Sequence, residues 1–137
     1  MVSFNYETNF ELSDEDRYAE WITAIIVSEG KKEGEINYVF CDDEYLHNIN
    51  LEYLKHDELT DIISFDYSVG NELHGDIFIS IERVRENALE YNVSEVDELN
   101  RVMAHGVLHY CGYKDKSTDE SEAMRRKENE KMSMFKI

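Results

Sequence analysis

One helical segment constrains the fold of this sequence most, because both of its ends are marked. Ser94 is a typical helix N-cap, the run VDELNRVMAHGVLHYCG follows at 96–112, and Gly112 is the residue type that ends helices. Residues four apart lie on the same face of a helix, so the imidazoles of His105 and His109 can reach one metal ion. The alternative is a pair of core histidines whose nitrogens are satisfied by neighbouring groups.

The residue after the first histidine limits the class of metalloenzyme that this helix could belong to. It is Gly106, at the position where helical zinc proteases carry the glutamate that acts as general base. Its absence disfavours a protease of that type. A glycine inside a helix costs about 1 kcal/mol relative to alanine, so we predict that another part of the chain packs closely against the backbone there.

A catalytic zinc ion usually has three protein ligands and one open position. Asp115 is the first candidate for the third ligand, since the chain can turn back over the histidines after the helix ends. The alternatives are His74, Asp76 and Cys111. On a continued helix Cys111 would point away from His109, whereas His74 comes from another element and stays open.

The remaining segments alternate between strand and helix patterns. We predict strands at 2–7, 35–41, 60–68 and 74–81, and helices at 14–29, 42–53, 82–92, 96–112 and 117–131, with Ser13 capping the first helix. The last two strands, at 60–68 and 74–81, are spaced to form a hairpin. The predicted fold is α+β, with a small mixed sheet of about four strands and about five helices. The sheet forms a single layer covered by helices mainly on one side, within one domain spanning 1–137.

The charge and hydropathy of the chain limit its partners. The formal net charge of −17 argues against broad, non-specific binding to nucleic acid, which depends on Lys and Arg replacing counterions. A local basic strip in a cleft is still compatible with that total. The acidic N-terminus has no apolar signal segment and no apolar run approaches the length of a membrane span, so we expect a cytoplasmic protein without a membrane partner.

The motif HGVLHYCGYKD at 105–115 resembles the HGxLHLxGYDH signature of the YbeY family of rRNA-maturation endoribonucleases. Upstream, TDIISFD at 60–66 is similar to the family's TDVLSFP, and HGDIFIS at 74–80 is similar to its LGDIxIS. The segment NLEYLKHD at 50–57 resembles the stretch that precedes them. The blocks occur in the same order and spacing, and the resemblance covers roughly 35–116.

This resemblance implies a compact α+β metalloprotein that binds one zinc ion per chain. By position the ligands are His105, His109 and Asp115, where the family usually has a third histidine. A carboxylate is a competent zinc ligand, and sites with two imidazoles and one carboxylate are catalytic in other enzymes.

The resemblance also suggests candidates for catalysis and substrate binding. The family usually has an arginine where this chain has Leu54, and the adjacent Lys55 would be a weaker substitute for binding phosphate. Lys55 and Asp76 are the catalytic candidates, and Asp76 could instead orient a ligand histidine by a hydrogen bond. Lys55, Lys114 and Lys116 are the substrate-binding candidates.

The implied function is a zinc-dependent endoribonuclease specific for single-stranded RNA. It would act in 16S rRNA 3′-end maturation and ribosome quality control, with rRNA and the ribosomal small subunit as partners and no DNA substrate. The alternative is a non-catalytic, zinc-stabilised binding module associated with the ribosome. The acidic chain and the residues Leu54 and Asp115 favour that alternative modestly.

Overall fold

The structure is a computed structural model that describes residues 1–54 and 60–135. Its elements occur in the predicted order: β1 (Val2–Tyr6), α1 (Glu15–Ser28), β2 (Lys32–Cys41), α2 (Asp43–Ile49) with a π-helical turn (Asn50–Leu54), β3 (Ile62–Asp66), β4 (Glu72–Ser80), α3 (Ile81–Tyr91), α4 (Glu95–Tyr110) and α5 (Thr118–Met132). No helix within those two described ranges has the length and apolar character needed to cross a bilayer.

The four strands form one mixed sheet in the order β1-β2-β4-β3. β1 and β4 both run parallel to β2, which lies between them. β3 is antiparallel to β4 and forms the hairpin that the sequence predicted, with Ser64 opposite Ile77. The α+β prediction is therefore confirmed.

The main core lies on one face of the sheet. Alternate strand residues point to this face, including Tyr38 and Phe40 of β2 and Ile77 and Ile79 of β4, all of them fully buried. The buried faces of α1 and α4 cover them, which places α4 directly against the strands. The prediction that helices lie mainly on one side is confirmed by this arrangement.

The opposite face carries a second, smaller cluster. Leu46 of α2 packs there with Cys41 of β2 and Ile63 of β3, and Phe65 and Phe78 border the group. Toward β1 the same face is polar, because the Asn37 side chain bonds to neighbouring polar side chains instead of to a covering helix. In the described part of the chain, α2 thus covers this side of the sheet where Cys41, Ile63 and Phe78 lie.

Capping side chains explain where the helices begin. Asp14 caps α1, because its carboxylate accepts the backbone N–H of Arg17 at 3.2 Å, so the prediction of Ser13 was wrong by one residue. Ser94 caps α4 as predicted, and its hydroxyl accepts the N–H of Asp97 at 3.0 Å. Ser117 caps α5 in a complete capping box. Local side chains therefore set the start of each of these helices.

Candidate metal centre and cleft

The two histidines of α4 meet at one point in space. The Nε2 atoms of His105 and His109 lie 2.9 Å apart, as their spacing of one helical turn predicts. Gly106 between them faces the sheet, where an added Cβ would lie 3.0 Å from Ile62 Cδ1 and 3.1 Å from Ile77 Cγ2. The glycine thus lets α4 approach β3 and β4 closely, which is the packing that the sequence indicated.

The chain then turns back over the histidines. Gly112 has a φ of +105° directly after α4, and the following loop returns Asp115 to the helix. The Oδ2 atom of Asp115 lies 3.1 Å from Nε2 of His105 and 3.5 Å from Nε2 of His109. The structure therefore brings together the three residues that the sequence singled out.

The three facing atoms fit a zinc ion. With bonds of about 2.0 Å and tetrahedral angles, two ligand atoms should lie about 3.3 Å apart. The separations of 2.9, 3.1 and 3.5 Å bracket that value. Within the described parts of the chain, these residues form the group of His, Cys, Asp and Glu side chains with metal-ligand spacing. Two neutral imidazoles and a carboxylate leave one tetrahedral position for water or substrate.

Hydrogen bonds at the far ring nitrogens orient both histidines. Nδ1 of His109 donates to the carbonyl of Tyr113 at 2.9 Å, and Nδ1 of His105 lies 2.6 Å from Oε2 of Glu128. A proton held at Nδ1 leaves Nε2 of a neutral imidazole as an acceptor for metal. Such outer partners fix the ring and raise its basicity as a ligand.

Glu128 of α5 is the main site residue that sequence reasoning missed. It is 5% exposed, and Nη1 of Arg101 donates to its Oε1 at 2.8 Å. Burial alone would raise the pKa of Glu128, but its hydrogen bonds with His105 and Arg101 lower it. A signal existed in the sequence, since Glu128 follows Met124 by one turn on the inward face of α5, and a buried carboxylate needs a partner.

The ion pair between His105 and Glu128 predicts a pH dependence for the metal-free protein. Burial would lower the pKa of His105, but the hydrogen bond and the charge of Glu128 raise it above 6.5. Stability from a raised histidine pKa is present below pH 6.5 and is lost as pH rises through the folded-state pKa. The lowered pKa of Glu128 contributes stability that is present above pH 4.5 and is lost as the pH falls through the folded-state pKa.

We therefore expect the unfolding free energy of the metal-free protein to fall as pH rises above 6.5. Urea titrations in chelator across this range, monitored by circular dichroism, measure it. The variant His105→Gln should remove most of the fall. A stability that increases over the same range in the wild type, with no change in the variant, would contradict the assignment.

A cleft of about 450 Å³ opens beside the three ligands. Asp61 and Glu98 lie in its wall, and burial is the main cause that raises the pKa of both carboxyls. The charge of His105 opposes this rise at Asp61, whereas the charge of Asp61 adds to it at Glu98. Thr60 also lines the cleft. The cleft thus combines the candidate metal centre with two acidic groups that hold protons more readily than exposed carboxyls do.

The other predicted site residues are placed differently. Asp76 extends from the opposite face of the sheet, where its Oδ1 accepts from Nδ2 of Asn37 at 3.5 Å, so the structure does not bring it to the histidines. His74 also lies away from the ligands, with its Nε2 2.7 Å from Oε1 of Glu72. Among the described ligand candidates, Asp115 is therefore the one that meets the histidines.

The predicted lysines have separate outcomes. Lys116 lines a second groove, which also reaches His109 and Asp115. Lys114 is exposed on the same loop and lines neither of the cavities beside the ligands. Lys55 lies outside the described residues. The three lysines therefore stay candidates of unequal support, with Lys116 the best placed.

Comparison with known proteins identifies the family of this chain. A family model described as Endoribonuclease YbeY matches residues 3–136. A Flavobacterium johnsoniae protein named Endoribonuclease YbeY is 65% identical over 137 residues, covering 100% of this chain and 99% of its own length. A Flavobacterium psychrophilum protein of the same name is 61% identical, covering 100% of this chain and 98% of its own length.

A solved structure supports the fold. The solution structure of a Thermotoga maritima protein superposes with a TM-score of 0.66, covering 98% of this chain and 91% of that chain. Its sequence identity of 22% makes this a likeness of fold alone. The family match over nearly the whole chain and the two close relatives are what establish kinship: this chain belongs to the YbeY family.

Proposed function

We propose that residues 1–137 form a single metal-dependent hydrolase domain that cleaves single-stranded RNA internally and carries one zinc ion. The observation that supports this most is the convergence of His105, His109 and Asp115 at a cleft, in a chain whose relatives are named endoribonucleases. The proposed role is in 16S rRNA 3′-end maturation and ribosome quality control, in the cytoplasm, with the ribosomal small subunit as partner.

A zinc ion at this position would supply a Lewis acid for a phosphoryl oxygen and lower the pKa of a water molecule toward about 7. Residues of the chain would orient the ligands and accept the proton. Glu128 and the carbonyl of Tyr113 hold the imidazoles with Nε2 directed at the ion. Asp61 is the proposed proton acceptor, because it lines the cleft and its burial-raised pKa is closer to neutral pH.

A cleavage assay on a labelled single-stranded RNA tests the proposal. It compares identically purified wild type and His109→Ala, each with and without added zinc. We expect zinc-dependent cleavage by the wild type, and none by the variant, while both stay folded by circular dichroism. Asp61→Asn should bind zinc normally and lose cleavage by about 100-fold or more, as expected for removal of a general base.

Two other outcomes decide against this function. Equal cleavage by wild type and His109→Ala would identify a contaminating nuclease. Loss of the fold in His109→Ala, with no cleavage by the zinc-loaded wild type, would favour the alternative of a zinc-stabilised, ribosome-associated binding module, because a structural metal site supports folding itself.

A further inference from the structure

We propose that the mouth of the cleft between α3 and α5 binds one nucleotide of the RNA strand, with Arg125 holding its phosphate and Tyr91 stacking on its base. This nucleotide would lie beside the one that is cut. The inference rests on the proposed function, and it assigns substrate contacts to two residues on elements that carry none of the three metal ligands.

Both side chains are positioned at the cleft and available to a ligand. Tyr91 ends α3 and is 59% exposed, and the Arg125 side chain on α5 is 61% exposed. Both line the same cleft as His105 and Asp115. A phosphate group bound at Arg125 would therefore lie in the cavity that reaches the metal centre.

Among the described cations that line this cleft, Arg125 is the one whose guanidinium has capacity for a phosphate. Arg101 also lines the cleft, but its Nη1 donates to Glu128 at 2.8 Å and its Nη2 donates to Asn129 at 2.7 Å. Arg125 is held less closely, since its Nε lies 4.0 Å from Oε1 of Glu128. Arginine suits this task because its fork of N–H donors matches two phosphate oxygens.

The run RRK at 125–127 therefore divides into separate roles. Lys127 forms ion pairs with Glu29 and Glu130 at 3.2 and 3.4 Å, which is the structural role typical of such charge runs. Arg126 is exposed and lines a shallow recess on the outside of α5 together with Arg125, but it does not line the cleft. In a chain of net charge −17, an anionic strand depends on local cations of this kind.

Tyr91 supplies an aromatic ring on which a base of the RNA strand can stack. Proteins that bind single-stranded nucleic acid combine a cation for the backbone with an aromatic ring on which a base stacks, and this requires no particular base. The pairing of Tyr91 and Arg125 on one cleft has that composition. We therefore expect affinity at this position to depend on single-stranded structure more than on sequence.

Salt dependence separates the two contacts. A fluorescein-labelled ten-nucleotide RNA is titrated in chelator, which prevents the proposed cleavage, and anisotropy is followed at several salt concentrations. Arg125→Gln should weaken binding and reduce the slope of log K against log salt by about 0.7, the value for one phosphate on a single strand. The matched control Arg126→Gln, with the same loss of charge one residue away, should leave the slope unchanged.

Loss of the aromatic contact should weaken binding without changing its salt dependence. Tyr91→Ala should weaken binding roughly 5- to 150-fold, corresponding to about 1–3 kcal/mol for one stacked base, with an unchanged salt slope. Tyr67→Ala is the matched control, because that tyrosine is 58% exposed but lines a recess on the other face of the sheet. Circular dichroism verifies that each variant is folded.

The outcomes distinguish this inference from the proposed function. Equal effects of Arg125→Gln and Arg126→Gln, wild-type binding by Tyr91→Ala, or a wild type that does not bind RNA would each overturn the inference. If the zinc-loaded wild type cleaves RNA while the Arg125 and Tyr91 variants bind as it does, the function stands and this inference fails. If binding depends on both residues but zinc induces no cleavage, the nucleotide site stands and the nuclease proposal fails.

Discussion

Replacing Glu128 with alanine is expected to lower the unfolding free energy by about 3 kcal/mol and zinc affinity by about 10- to 100-fold. The carboxylate is 5% exposed and bonds to both His105 and Arg101. Its removal leaves the guanidinium of Arg101, whose side chain is 22% exposed, without its ion pair. It also releases Nδ1 of His105, so that ring is no longer held toward the other two ligands.

Urea unfolding of the metal-free protein and competition for zinc with a chromophoric chelator measure the two effects. Glu122→Ala is the control, since it removes an exposed glutamate from the same helix and should change stability by less than about 0.5 kcal/mol. Glu128→Gln separates orientation from charge, because an amide oxygen still accepts from Nδ1 of His105. If Glu128→Ala binds zinc as tightly as the wild type, the carboxylate does not orient the ligand.

Gly75→Ala is expected to lower the unfolding free energy by about 3 kcal/mol, the upper part of the range for overpacking. Gly75 lies in β4 where Tyr110 of α4 crosses the strand. An added Cβ would lie 2.6 Å from the carbonyl oxygen of Phe65 and would overlap the ring and hydroxyl of Tyr110. That hydroxyl donates to the Phe65 carbonyl at 2.9 Å, so the clash also breaks a partly buried hydrogen bond.

Because Tyr110 follows His109, the same substitution should displace the last turn of α4 and weaken zinc binding. The control is Gly106→Ala, the same chemical change against side-chain methyl groups of Ile62 and Ile77 at 3.0–3.2 Å, with no backbone atom in the way. There the gain in helix propensity, about 1 kcal/mol, offsets mild crowding. Urea unfolding of both variants decides the matter: equal stabilities would show that the contact with Tyr110 does not constrain the helix.

Much of the fold was predictable because its signals are local. Apolar residues at alternate positions predicted all four strands, and residues such as Ser94, Ser117 and Gly112 marked helix ends within a residue or two. The failure at Ser13 has the same origin, since Ser13 and Asp14 are both good caps and only the hydrogen bond to the N–H of Arg17 selects Asp14. The strand order could not be read, because it depends on pairing between segments far apart in the chain.

The candidate site likewise has features that local sequence predicts and features that only tertiary packing sets. Sequence alone determined that His105 and His109 share a helical face and that Asp115 follows a helix-ending glycine, because each relation spans only a few residues. Tertiary structure alone decided that Glu128, 23 residues after His105, lies against its ring. It also placed Asp76 and His74 away from the ligands, although spacing had left both open. The physical reason is that helix periodicity and turn chemistry act over one or two turns, whereas a buried carboxylate finds its partner only when separate elements pack together.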